Sequence, residues 1–505
     1  MDSAVETMPE TVGDLSIGGG ASPADLLRTL LQPGTTCWRI ERAGRFAQIV
    51  DAADYFAVLK AAMLQARHSI YLIGWDFDTR TQLEPAGATQ PGPNRLGNLI
   101  NWIVKRRPGL QVYILPWRLG LVRTLVRGTT AFFILKWIFH RRVHFQPDGH
   151  HPTGASHHQK IVVIDDAIAF CGGIDITGAR WDRRAHEPHD RHRRLPGGQP
   201  YGAWHDATTA VDGAAARALG EFARDRWFRT TGKRLPVPPP GANPWPESLP
   251  VTVTDVDVAI ARTAPAYGGE AEVREIESLY LAGIGAARRT IYLESQYLAS
   301  RRICEAIAGR LREEGGPEIV VVNPESADGW LEEATMGPAR LRLLEVIRAS
   351  DRYDRFRIYV PVTENGEPIY VHAKIMVVDD QMLRIGSSNL NNRSMNLDTE
   401  CDLAIEAHPE SPDRERLEQA IRGIRDDLLA EHLGVTAEQL AAAHKATGSL
   451  IDAIESLARP GRGLVPLKTP DHAAVLELLA DADFTLPEKP RRFWALPSRK
   501  RRYQS

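Results

Sequence analysis

Two short stretches of the chain say nearly the same thing about two hundred residues apart: "SHHQKIVVID" from Ser156 and "YVHAKIMVVD" from Tyr370. Each reads His-x-Lys, four residues, then Asp, giving His158, Lys160 and Asp165 in the first copy and His372, Lys374 and Asp379 in the second. A turn of small residues follows both, "CGGID" at 171–175 and "IGSSN" at 385–389. The flanks repeat as well. "ARHSIYLIGWDFD" (66–78) parallels "ARRTIYLESQYL" (287–298), and the β-rich runs "LQVYILPW" (110–117) and "EIVVVNP" (318–324) come next. Both His-x-Lys phrases sit in β-branched runs typical of interior strands.

The recurrence of helix, strand, helix, strand and His-x-Lys strand predicts an α/β fold of two similar lobes, each a mixed β-sheet flanked by helices, related by a pseudo-twofold. The expected organisation is a disordered leader at 1–22, lobes at 23–232 and 251–408, a Pro-rich linker at 233–250, and a helical segment with a basic tail at 409–505. Since both motifs lie in one chain, a monomer is expected.

On a strand, residues i and i+2 face the same way, so His158 projects with Lys160 and His372 with Lys374. An imidazole beside a fixed ammonium suits a phosphate ester, the lysine neutralising oxygens while the histidine attacks phosphorus or protonates the leaving group. One such pair would be an accident of the surface; two matched pairs inside a wider repeat argue for chemistry. A formal net charge of −2 gives no global basic field, so an anionic substrate must be met by a local patch and no nucleic-acid partner is expected. The four cysteines are scattered without metal-ligand spacing and read as buried, reduced thiols. The "HEPHDRHRR" run (186–194) reads as a solvated loop, and no metal is expected. The apolar stretch at 119–139 is broken by Arg123, Arg127 and Lys136, so it does not span a membrane; it reads as an amphipathic helix, packed on the core or touching lipid.

These phrases resemble the signature of the phospholipase D superfamily, His-x-Lys-x4-Asp-x6-Gly-Ser-x-Asn. The second copy fits throughout, through Gly386, Ser387 and Asn389; the first ends Gly172–Gly173–Ile174–Asp175, a departure shared with eukaryotic-type phospholipases D. "GARWDRRAHEPHD" (178–190), "WHD" (204–206), "FARDRW" (222–227), "IYLESQYL" (291–298), "SSNLNNRSMNLDTE" (387–400) and "EHLG" (431–434) extend the likeness. It implies one site between the lobes and a two-step displacement through a phosphohistidine, with His158 as nucleophile and His372 as acid, and no cofactor. Lys160, Lys374 and Asn389 would hold phosphate oxygens, helped by the turns at Gly173 and Ser387. Glu400 and Asp190 would hold the histidines' far nitrogens. Asp165 and Asp379, part of the motif, would bond turns and backbone, and Asp175 a neighbouring cation or amide. Trp181, Trp204, His205, Gln296 and Tyr297 are candidates for a head-group pocket. The implied reaction is phospholipase D hydrolysis of glycerophospholipids to phosphatidate at a membrane surface, by a cytoplasmic or peripheral membrane protein. Cardiolipin synthesis and nucleic-acid phosphodiester cleavage are the runners-up, and a scaffold with a dead site is disfavoured by two intact pairs.

Overall fold

The computed structural model describes residues 29–118, 120, 128–326 and 330–468; the leader at 1–22, most of 119–127 and the basic tail beyond 468 lie outside them. Among the described residues, sixteen strands form one continuous mixed sheet, and its order is a palindrome about its centre. At its centre the strands Arg39–Val50 and Val253–Ala264 pair antiparallel, Ala43 opposite Val256. Outward from the first run Ala207–Asp212, Ile168–Gly172, Ile161–Ile164, Ser69–Gly74, Gln111–Pro116 and Val143–Phe145. Outward from the second run their counterparts Glu400–Glu406, Met382–Gly386, Ile375–Val378, Thr290–Glu294, Glu318–Val322 and Phe356–Val362. The expected α/β fold of mixed sheet flanked by helices is present, and the half-sheets of the two lobes are continuous, sharing hydrogen bonds along a pair of twelve-residue strands. The charged central strands, "RIERAGRFAQIV" and "VTDVDVAIARTA", hide this pairing in the sequence.

Packing fuses the repeats further. On one face of the sheet, Val163, Phe222 and Trp227 of the first repeat share a core with Val377, Leu403 and Leu428. It is covered by the helices Gly213–Thr231 and Arg414–Leu433. The other face carries a core for each repeat, under Ala52–Gln65 and Leu96–Arg106 in the first and Glu275–Ala286 and Arg301–Leu311 in the second. The segment 233–250 is no free linker, because Trp245 and Leu249 bury into the first repeat's core. The C-terminal region is not wholly helical either: after Leu450–Ser456, the strand Gly463–Pro466 adds to the sheet edge beside Phe356–Val362.

The motif aspartates explain themselves here. Each His-x-Lys strand leads into a tight hairpin whose two central residues, Asp165–Asp166 and Asp379–Asp380, have positive φ of 51–60°. Asp tolerates that left-handed conformation better than most residues. The Asp165 carboxylate accepts the backbone N–H groups of Arg67, His68 and Ser69 at 2.7 Å, and Asp379 accepts those of Arg288, Arg289 and Thr290. They pin each hairpin to the neighbouring strand, at the opposite end of the strand from the histidine. These are the bonds to turn and backbone expected of them, and they set both aspartates apart from the histidines and lysines of their motifs.

Candidate active site

Both motifs are paired across the seam between the repeats. His157 bridges to Thr399, and the His158 N–H donates to the Thr399 carbonyl at 2.9 Å. Correspondingly, Tyr370–Val371 pairs in parallel with Trp204–His205, and the His372 N–H donates to the His205 carbonyl at 2.8 Å. These ladders bring both imidazoles to one cleft of about 830 Å³, which Trp75, Trp117, Arg180, Trp204, Gln296, Tyr297 and Asn389 also line.

Each histidine is held by the other repeat. Nδ1 of His158 lies 3.0 and 3.1 Å from the two carboxylate oxygens of Glu400, and Nδ1 of His372 lies 2.7 Å from Asp206. With Nδ1 so occupied, Nε2 of each ring is left for the cleft. Glu400 and Asp206 start the equivalent strands Glu400–Glu406 and, one residue on, Ala207–Asp212, so the exchange is symmetric. Asp190 does not take the expected place. Its carboxylate binds Arg183 at 2.5 Å, seven residues back along its own loop. Asp206 was in plain view in "WHD", and its equivalence to Glu400 was the missed signal.

The different turns of the two motifs follow from these carboxylates. Ser387 Oγ donates to Glu400 at 2.5 Å and accepts the Cys401 N–H at 3.0 Å, so it supports the acid rather than facing the cleft. Gly173, its counterpart, has no room for a side chain: a Cβ there would lie 2.1 Å from Asp206 Oδ1. The backbone N–H groups of both are also engaged, Gly173 donating to the Ala207 carbonyl and Ser387 to Asp402. Asp175 binds Lys160 at 3.1 Å and accepts the Trp75 and Asp76 N–H groups, while its counterpart Asn389 leaves its buried Oδ1 without a hydrogen-bond partner. Both lysines also donate to the carbonyl of the histidine two residues before them.

The electrostatics fit a site awaiting an anion. Burial and the ammonium groups of Lys160 and Lys374 hold His158 well below the usual histidine range, and burial, Lys374 and Arg180 do the same to His372. Burial also pushes Lys374 down to about 7, against the pull of Asp206, and pushes Glu400 up to about 8, against Lys160.

The pocket candidates divide. Gln296 and Tyr297 line the cleft, Gln296 donating to the Tyr297 and Tyr370 hydroxyls at 2.8 and 2.6 Å. Trp204 lines it too, stacked on Tyr370 at 4.5 Å, with the Arg180 guanidinium 4.3 Å over its ring. Trp181 is displaced into an adjoining hollow with His192 and Tyr201. His205 is corrected outright: the strand's alternation turns it away from Trp204 and Asp206 into the interior, where it is fully buried. His186, read as part of a solvated loop, is also fully buried, among Asp182, Asp51 and Glu431.

A family model, "Phospholipase D", matches residues 62–237 and 357–459, together more than half of the chain. The chain belongs to the phospholipase D family. Among curated relatives, it is 25% identical to phospholipase D A of Dictyostelium discoideum, over 70% of this chain and 32% of that one. It is 24% identical to phospholipase D alpha 1 of Carica papaya, over 74% and 63%, and 24% identical to phospholipase D1 of Schizosaccharomyces pombe, over 81% and 37%. The match thus takes in between a third and two thirds of these relatives' length. Among solved structures, phosphatidylserine synthase of Haemophilus influenzae Rd KW20 shares the fold, with a TM-score of 0.53 at 15% identity over 77% of this chain and 88% of that one. Among the described residues, no helix is long and apolar enough to cross a membrane.

Proposed function

We propose that the chain is a phospholipase D that cleaves the distal phosphodiester of glycerophospholipids through a phosphohistidine. The observation that carries this reading is the reciprocal hold, in which two cleft-facing histidines are each oriented by a carboxylate of the other repeat. The Nε2 lone pair of His158 attacks phosphorus and the bond to the head-group oxygen breaks. His372, protonated at Nε2, gives that oxygen its proton. Neutral His372 then takes a proton from water, the oxygen attacks phosphorus, and the P–N bond breaks to release phosphatidate and His158. An alcohol in place of water gives a new phosphatidyl ester.

A free site with both histidines held down in pKa suits this order. His158 is ready as an unprotonated nucleophile, and the arriving phosphodiester anion raises His372 into its acid role. Lys160 and Lys374 would face the phosphoryl oxygens, with the unpartnered Asn389 Oδ1 marking a nearby hydrogen-bonding position. A lipid surface is met by the helix Thr130–Ile138. Its Phe132, Leu135 and Ile138, with Phe139 just beyond, are exposed beside exposed Lys136 and Arg141. Thr130, at its start, donates to Asp78 on the cleft wall, which places this ridge near the mouth.

The test is product analysis on mixed phosphatidylcholine, phosphatidylethanolamine and phosphatidylglycerol vesicles with and without ethanol. Phosphatidate, joined by phosphatidylethanol when ethanol is added, is the expected outcome. Cardiolipin in their place moves the chain to phosphatidyl transfer between lipids, and no lipid turnover overturns the reading.

A further inference from the structure

Behind His372, on the side away from the cleft, lies a cluster of titratable side chains that the reaction does not use. We infer that Asp51, His186, His205 and Glu431 form a tetrahedral site for a divalent transition ion of the zinc type, tying the helix Arg414–Leu433 to the first repeat. Asp51 precedes the helix Ala52–Gln65, His186 comes from the 178–194 loop, His205 from the strand beside His372, and Glu431 from Arg414–Leu433. Asp51, His186 and His205 are fully buried, and Glu431 is 7% exposed.

The spacing is that of a ligand shell. Nε2 of His186 and Nδ1 of His205 lie 3.2 and 2.9 Å from Glu431 Oε1, and 3.5 and 3.4 Å from the two oxygens of Asp51. Bonds of 2.0–2.1 Å to a tetrahedral ion set ligand atoms about 3.3 Å apart. Two imidazoles and two carboxylates suit zinc and its transition neighbours rather than calcium, which prefers six to eight oxygens.

The outer contacts match as well. A metal-bound histidine usually donates its other ring nitrogen to a carboxylate, which fixes its tautomer. Here Nδ1 of His186 lies 2.9 Å from Asp182, and Nε2 of His205 lies 2.8 Å from Glu294. Asp182 is itself paired with Arg193, and the spare Glu431 oxygen with Arg184 at 2.5 Å, which holds both outer carboxylate oxygens in place.

The competing reading is two imidazolium ions in a salt-bridge cluster, which carries the same charge. It leaves Asp51 Oδ2 stranded: this buried oxygen has no hydrogen-bond partner, and its neighbour at 3.5 Å is too far for a good one. An ion at the centre satisfies it. Asp51 and His186 also hold left-handed backbone conformations, φ 64° and 43°, that converge their side chains on this point. The site touches no substrate. Its link to the reaction is positional, since Asp51 Oδ1 accepts the N–H of Asp206, the residue that orients His372.

The test is metal content by mass spectrometry of the full chain, expressed in zinc-supplemented medium and dialysed, beside Asp51→Asn and Glu431→Gln. About one zinc per chain is expected in the parent and roughly a tenth of that or less in each variant. Protein grown on cobalt should show the visible bands of a tetrahedral ion. Should the variants fail to accumulate, the parent's zinc content and cobalt spectrum decide alone. No bound metal in the parent, an octahedral cobalt spectrum, or undiminished metal in both variants overturns the inference.

Discussion

Asp206 lies 2.7 Å from Nδ1 of His372, across the seam that joins the first repeat to the second. Glu400 does the same for His158 in the opposite direction. Each half of the chain therefore carries a reactive ring that it cannot orient by itself.

Removing either orienting carboxylate should cost rate while leaving the fold. Asp206→Asn and Glu400→Gln keep size but offer the wrong partner to the ring, and we expect kcat to fall roughly 10²- to 10⁴-fold in each. His158→Ala and His372→Ala should abolish turnover. Near-normal activity in either alanine variant would sink the two-histidine mechanism.

Gly173→Ala tests why the first motif departs from the second. Its Cβ would fall 2.1 Å from Asp206 Oδ1, so the carboxylate must move and the loss should approach that of Asp206→Asn. Gly309→Ala, on a helix with open space around it, should leave activity unchanged. Equal kinetics for the two alanine variants would show that the Asp206 position does not matter.

Asp165→Ala and Asp379→Ala should separate stability from chemistry. Each removes a carboxylate that accepts three backbone N–H groups, leaving buried donors unpaired, at a cost of about 3 kcal/mol. The melting temperature should drop while kcat of the folded fraction persists. Loss of kcat without loss of stability would place these residues in the catalytic set instead.

The pH profile should report Lys374. Burial lowers its pKa to about 7, so the free site loses this positive charge as pH rises through that value. The fall of kcat/KM with rising pH, begun by loss of the proton that His372 must carry, should steepen near pH 7, and in kcat it should move upward, because a bound phosphodiester stabilises both positive charges. On the acid side His158 must be unprotonated, and it is held well below the usual histidine range, so the acid limb of kcat/KM should fall below pH 6.5. A flat kcat/KM from pH 6.5 to 9.5 would count against this charge arrangement.

Phe132→Ser with Phe139→Ser should weaken sedimentation with anionic vesicles by about tenfold, while turnover of a short-chain soluble phospholipid holds. Unchanged vesicle binding would leave the exposed ridge without a lipid role.

The repeat order, the mixed α/β architecture and the family could all be read from the letters, because β-branched runs and the paired motifs repeat in register. The central strand pair could not. Arg39–Val50 mixes charged and apolar residues as a surface strand would, and its partner Val253–Ala264, two hundred residues on, covers that edge. Asp190 and Asp206 are both carboxylates downstream of the first motif, and no local rule separates one that meets Arg183 from one that reaches His372. His186 and His205 looked exposed or cleft-lining for related reasons. Basic neighbours disguised the first, and the second is one residue, hence one face of the pleat, away from the site.

The palindromic sheet also bears on how the protein is made. While the ribosome has delivered only the first repeat, Arg39–Val50 presents a bare edge, an invitation to pair with any passing strand. The nascent chain must wait for residues 253–264 before that edge closes. Arg42 stands along it, and until Asp257 arrives with the second repeat its charge would disfavour the joining of two half-made copies through the strand that each reserves for its own second half.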